Sequence, residues 1–247
     1  MADPVRIRRP RVYVGTSGFS YPPWRGTFYP ADLPATGMLR HYAGVFDTVE
    51  INHSFYRMPT PELLGGWHRQ VGATFRFALK APQRITHQRR LRDCEELTRD
   101  FVRLAQTLGP GLGPLLFQLP PHLKADLPRL AQFVTVLPTN VEAAFEFRHP
   151  SWLSEETYAV LRERKIALCI ADTDEDTTPI VATAPFAYVR LRRMDYTPEA
   201  LGAWAERLRN VAGWKRVYAY VKHDEAGRAP ALAQALVTSL GEPTPRG

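Results

Sequence analysis

This chain is short of cysteine, of lysine and of long apolar runs. Its 247 residues include two cysteines, Cys94 and Cys169. Neither belongs to a CxxC pair, so nothing suggests a disulfide framework or a metal knuckle. A reduced, cytoplasmic protein is the expectation. No run reaches the length of about 18 apolar residues that a membrane-spanning helix needs. The opening MADPVRIRRPR lacks the apolar segment of a secretory signal. No GxGxxG follows the first strand-like run, which weighs against a dinucleotide-binding fold. There is no Walker-type loop, no HxH or HExxH spacing and no low-complexity segment.

What the chain does have is arginine. It carries 27 Arg against 5 Lys, a net charge of +7 and a pI near 9.6. A basic balance favours anionic partners, either small anions or nucleic acid. Arginine is also the better bidentate reader of phosphate and carboxylate. Not all of these arginines face a ligand. In RRLRDCEELTRDFVR (89–103) they alternate with acids at the spacing of an exposed helix face. Arg6, Arg8, Arg9 and Arg11 form either an anion-binding arm or a solvated terminus.

Short β-type runs alternate with helical stretches, the pattern of βα units around a parallel sheet. Strands are expected at 11–17, 46–52, 74–80, 114–119, 143–147, 166–171, 186–191 and 216–221. Helices are expected near 36–44, 60–70, 91–108 (which includes Cys94), 126–137, 154–164, 198–209 and 229–239. The helices after strands one and six look short or are replaced by loops. Eight strands and this length fit the α/β class, as a single (β/α)8 TIM-type barrel. The barrel would span 11–240, with a basic arm at 1–10 and a tail at 241–247.

In such a barrel the C-terminal strand ends converge on one face, where active sites lie. Charged residues stand at most of these ends. Glu50 and Asn52 lie two apart on strand two and would share a face. A buried Glu needs a partner, and Lys80 or Arg148 could serve. A Glu–Lys pair in a cavity suits general acid–base work. The same pair also reads as a structural ion pair. Lys80 alone suits an anion anchor or, less readily, a Schiff base. Glu146 and Arg148 alternate on strand five as a candidate base and anion clamp. His149 reads as a proton shuttle, or as a cap on a loop pinned by Pro150 and Trp152.

Asp172 follows strand six, ahead of an acidic turn at Asp174, Glu175 and Asp176. Arg190 and Arg192 alternate on strand seven, and Lys222, His223 and Asp224 end strand eight. Arg190 and Lys222 fit the anion site often found there. The first loop, GTSGFSYPPWRGTFYP (15–30), holds Phe19, Tyr21, Trp24, Phe28 and Tyr29 around Arg25. These aromatics either stack a base or sugar or plug the mouth as a small core. No cofactor is expected. A divalent metal is a lesser alternative, on His53, His87, His149 and His223 beside Glu50, Glu146 and Asp172.

The segments VGTSGFSYPPWRGTFYP, VEINHSFYRMPTPELLGGWHRQV, FRFALKAPQRITH, LGPLLFQLPP and FEFRHPSW resemble the YecE-like family, the domain of unknown function 72. The match runs from 12 to 152 and continues more weakly to about 236. The resemblance implies a single TIM-type barrel, likened to those of sugar isomerases and metal-dependent abasic-site endonucleases. It assigns no activity. The family pattern falls on Gly15, Ser17, Trp24, Glu50, Asn52, Tyr56, Lys80, Thr86, His87, Gln118, Glu146, Arg148, Trp152, Asp172 and Arg190.

Two departures add positive charge: Lys222–His223 where relatives have asparagines, and Arg192–Arg193 where a His-Gly is common. The leading expectation is an enzyme acting on a small anionic, phosphorylated or sugar-like ligand. Glu50, Lys80 and Glu146 are its catalytic candidates. A nucleic-acid-binding protein, with or without endonuclease-like activity, and a non-catalytic ligand sensor are the alternatives.

Overall fold

A computed structural model of the chain describes residues 9–222 and 227–241. Eight parallel strands form the sheet: β1 (Arg11–Thr16), β2 (Thr48–Ile51), β3 (Arg76–Lys80), β4 (Leu112–Gln118), β5 (Ala143–Glu146), β6 (Ala167–Asp172), β7 (Phe186–Leu191) and β8 (Arg216–Val221). Their order, β1-β8-β7-β6-β5-β4-β3-β2, wraps the sheet into a barrel whose last seam lies between β1 and β2. At the top of that seam Ser17 bridges Glu50, and the Gly18 N–H donates to the Glu50 carbonyl at 2.8 Å. Lower down, the buried Tyr42 hydroxyl stands in for a ladder bond. It accepts from the Thr16 N–H at 2.8 Å and donates to the Thr48 carbonyl at 3.1 Å. Gly15 permits this close approach, because a Cβ there would sit 2.1 Å from the Thr48 oxygen.

The helices are α1 (Met38–Ala43), α2 (His53–Tyr56), α3 (Pro61–His68), α4 (Glu95–Gln106), α5 (Leu127–Val134), α6 (Glu155–Glu163), α7 (Pro198–Asn210) and α8 (Arg228–Ser239). Thr60, Asp126, Ser154 and Thr197 cap α3, α5, α6 and α7 by accepting from the third helical N–H. Two expected boundaries move. Arg90, Leu91 and Asp93 adopt left-handed backbone, so α4 starts at Glu95 and Cys94 is its buried cap rather than a helical residue. Asn52 has helical backbone just past β2, so period-two alternation from Glu50 no longer fixes its direction. No helix lies between β6 and β7, where a loop makes the connection.

Apolar residues on the outer strand faces pack against the helices, as with Phe77, Phe117, Phe145 and Val189. A second cluster fills the interior, with Tyr13, Ala78, Leu116, Cys169, Tyr188 and Tyr218 among its members. This alternation is what aims Glu50, Lys80, Gln118, Glu146 and Arg190 into the top of the barrel. Among the described residues, no helix is long and apolar enough to cross a membrane.

Candidate functional site

Arg190 is the hub of the mouth. One of its terminal nitrogens donates to Glu50 Oε1 at 2.8 Å and the other to Glu146 Oε2 at 2.5 Å. Tyr188 Oη donates to Glu50 Oε2 at 2.8 Å. Glu146 also accepts from Gln118 Nε2 at 2.9 Å, Arg148 Nε at 3.0 Å and Arg192 at 3.1 Å. Glu50, Glu146 and Arg190 are 0%, 1% and 5% exposed. Charges this far from water persist only when paired and hydrogen-bonded. Burial alone would raise the Glu146 carboxyl. Arg190, Arg148, Arg192 and the Gln118 amide overcome it and hold the group well below the usual carboxylate range.

Lys80 ends β3 in a different setting. Its ammonium lies 4.0 Å from the centroid of the Phe55 ring. No carboxylate among the described residues comes within 4.0 Å of it. Burial, and then the nearby Arg190, pull its pKa down to about 8 against the opposing pull of Glu50 and Glu146. His87 sits edge-on to the same Phe55 ring at 5.0 Å and pairs through Nδ1 with Thr86 Oγ1 at 2.9 Å. Burial, Lys80 and Arg148 lower its pKa, which favours neutral imidazole.

Two cavities flank this cluster. One of about 480 Å³ is lined by Glu146, Arg148, His149, Glu175, Asp176 and Arg192. The other, about 460 Å³ and mainly apolar, is lined by Phe19, Tyr21, Asn52, Leu63 and Trp67. In the buried cluster four cations (Lys80, Arg148, Arg190 and Arg192) surround two carboxylates, while the exposed Glu175 and Asp176 stand at the edge of the larger cavity. The two buried carboxylates are already engaged, while Arg148 and Arg192 are 32% and 23% exposed and keep unused N–H groups.

The family model described as "Protein of unknown function DUF72" matches residues 13–246. The chain belongs to the DUF72 family. It is 34% identical over 145 residues to the UPF0759 protein YecE of Escherichia coli K12, covering 58% of this chain and 51% of that protein. It is 27% identical over 155 residues to the UPF0759 protein YunF of Bacillus subtilis, covering 60% and 54%. The match thus spans about half the length of these curated relatives. A DUF72 family crystal structure from Thermotoga maritima superimposes with a TM-score of 0.82 at 28% identity, covering 94% of this chain and all of that one. One from Enterococcus faecalis, at 17% identity and TM-score 0.75 over 95% and 99% of the two chains, shares the fold.

In this DUF72 member the structure gathers Glu50, Lys80, Gln118, Glu146, Arg148 and Arg190 into one cluster, with His87 beside it. Ser17 is buried at the β1–β2 seam, where its carbonyl accepts from Tyr21 Oη at 2.9 Å. Tyr56 is 74% exposed at the rim, and Asn52 lines the apolar cavity. Lys222 is exposed past β8, and its N–H donates to the Leu191 carbonyl at 2.8 Å.

Three candidates sit elsewhere or are otherwise occupied. Trp24 is fully buried and packs against Tyr21, Phe28 and Tyr29, so it braces the first loop rather than lining the mouth. Asp172 faces the helices. There it accepts from Thr177, Arg193, Tyr196 and Trp204 at 2.5–3.0 Å. These donors lock the loop ends and leave Asp172 outside the cluster. His149 lines the cavity, but its Nδ1 caps the turn at Pro150–Trp152 by accepting from the Ser151 N–H at 3.2 Å.

Tyr188 belongs to the cluster yet was not among the sequence-based candidates, although alternation through Arg190 points to it; Arg192, read from the sequence as alternating with Arg190, joins the cluster as well. Among the described residues, no group of three or more His, Cys, Asp or Glu converges as a metal site. His223 and Asp224 lie outside the described residues, as do Arg6, Arg8, residue 241's followers (242–247) and most of the basic arm. Arg11 lies over the Tyr13 ring at the opposite end of the barrel, 4.6 Å from its centroid.

Proposed function

We propose that this protein is an enzyme acting on a small anionic ligand, of the phosphorylated or sugar-like class, at the C-terminal mouth of the barrel. The supporting observation is the surplus of cations over carboxylates in the buried cluster, two of whose arginines, Arg148 and Arg192, line a cavity that Glu175 and Asp176 also line. Arg148 and Arg192 each spend one N–H group on Glu146 and hold the rest toward the cavity. A bound anion would complete their coordination through charge-assisted hydrogen bonds.

In this reading the roles of the acidic residues change from those the sequence suggests. Glu146 is held ionised by three arginines, so it is a poor proton carrier and serves as the anchor that orients the clamp. Glu50 does the same for Arg190. Lys80, with a pKa of about 8, is left as the reactive group of the mouth. The nucleic-acid alternative draws less support from the first loop. Its Trp24 and Tyr29 are buried, and Phe19, Tyr21 and Phe28 pack against the core.

The test is ligand-induced thermal stabilisation and calorimetric binding with inorganic phosphate and sugar phosphates. A ligand at about 100 times its Kd should stabilise the fold by about 2.7 kcal/mol. Replacing both clamp residues (Arg148→Met with Arg192→Met) should weaken binding by about 10–100-fold, one to two lost charge-assisted hydrogen bonds. Unchanged affinity in that double variant would refute the assignment.

A further inference from the structure

The mouth holds one amine with no acid beside it. Of the five lysines, Lys124, Lys165, Lys215 and Lys222 are exposed, and only Lys80 is half-buried. Its chain is fixed from both ends. The Lys80 carbonyl accepts from Ser54 Oγ at 2.7 Å, and the ammonium lies over Phe55. Those two partners are neighbours on α2, so the short helix acts as a cradle for this side chain. An aromatic face holds a cation more weakly than a carboxylate does, and it offers no donor that would tie up the nitrogen lone pair.

We propose that Lys80 is a nucleophile that forms an imine with a small anionic aldehyde or ketone whose anionic group is held by Arg148 and Arg192. This rests on the anion-site reading above and extends it. The neutral amine attacks the carbonyl carbon, the C=O π pair moves to oxygen, and the proton that the nitrogen gives up passes to that oxygen. The carbinolamine then loses its hydroxyl, with a second proton, as water while nitrogen forms the C=N bond. The net change is amine plus carbonyl plus one proton to iminium plus water, with no oxidant or reductant required. The iminium then withdraws electrons from an adjacent C–H or C–C bond, which is lyase or isomerase chemistry.

The surroundings fit this role. The titratable and charged groups around Lys80 are Glu50 from β2, Arg190 from β7, Glu146 and Arg148 from the end of β5, and His87 after β3. The carboxylates are tied up by arginines, so none accepts a hydrogen bond from the amine and holds it protonated. With a pKa of about 8, roughly half of Lys80 is neutral at that pH, against under about 1% of an ordinary exposed lysine.

The experiment is reductive trapping on the intact chain. The protein is incubated with glyceraldehyde 3-phosphate or glyoxylate plus cyanoborohydride near neutral pH, and the fixed adducts are mapped by peptide mass. Glycerol 3-phosphate and glycolate, which lack the carbonyl, are run in parallel for thermal stabilisation. We expect Lys80 to carry at least about ten times the adduct of any other lysine, with the alcohols competing. Lys80→Arg should abolish that adduct. The wild-type map is decisive even if this variant fails to fold. Stabilisation by the alcohols without a Lys80 adduct overturns the imine and leaves the anion site standing. No stabilisation and no adduct overturns both. Adducts spread evenly over the five lysines also overturn the imine, because they report surface chemistry only.

Discussion

The two ends of this barrel use the same residue types with different consequences. At the N-terminal end Arg216 meets Glu142 at 2.6 Å and Arg11 meets Asp47 at 3.8 Å. These pairs are partly in water, with Arg216 and Glu142 46% and 24% exposed. Beneath them Tyr13 and Tyr218 stack at 5.0 Å and close the interior. At the C-terminal mouth, three arginines share two carboxylates that are out of water, Lys80 stands beside them without a carboxylate of its own, and the space above is open. Partly exposed charges, here including Arg76 beside Tyr13, are met by water wherever a carboxylate is lacking. Buried charges in unequal number leave an unmet demand, and a ligand of the minority sign can meet it. The comparison is therefore one of burial, not of composition.

Removing Arg190 should break the contrast most severely. Arg190→Met leaves Glu50 and Glu146 buried without their shared cation, and we expect about 3–5 kcal/mol of lost stability in urea titration. A loss below about 1 kcal/mol would mean that water reaches the cluster. Glu146→Gln comes next, at about 2–3 kcal/mol for its charge-assisted bonds. Its sign against pH is fixed by the lowered Glu146 carboxyl. The folded value lies below the unfolded value of about 4.3, so the contribution is complete above that pH. It is lost as pH falls toward the folded value. The gap between wild type and Glu146→Gln should therefore narrow in acid, and a constant gap would show that the carboxylate is not the source.

Lys80 should behave in the opposite sense. Its folded pKa of about 8 lies below the unfolded value of about 10.4, so the unfolded chain binds more protons between these values. Its charge opposes folding below about pH 8, and the penalty fades as pH rises through the folded value and toward the unfolded one. Lys80→Met should therefore be more stable than wild type near neutral pH, by about 1–2 kcal/mol after discounting for partial exposure. A destabilised variant would identify Lys80 as a structural prop. The smallest effect belongs to the other end: Arg216→Met should cost about 0–1 kcal/mol, as exposed pairs do. If it cost as much as Arg190→Met, the contrast between the two ends would fail.

The barrel was legible in the chain because period-two apolar runs alternate with capped amphipathic stretches, and only a few closed arrangements bury both. Glu50, Lys80, Gln118, Glu146, Arg148 and Arg190 were legible for a related reason. In a parallel barrel, polar residues at strand ends share one mouth. Direction was harder to read. Asp172 ends a strand like the others, but its parity turns it outward to Tyr196 and Trp204, and Asn52 loses its parity to a helical turn. Trp24 lies in a loop, where no periodicity tells a packing aromatic from a binding one.

By itself the sequence determined the periodicities, the charge surplus and the strand ends at which chemistry could sit. Only the tertiary structure decided how the charges were shared. Arg190 lies 140 residues beyond Glu50 and 44 beyond Glu146, and nothing local selects it as their common partner. Closing the barrel brings the three within hydrogen-bond reach and removes their water. That step turns Glu146 from a candidate base into a fixed anion, and it leaves Lys80 as the amine without an acid.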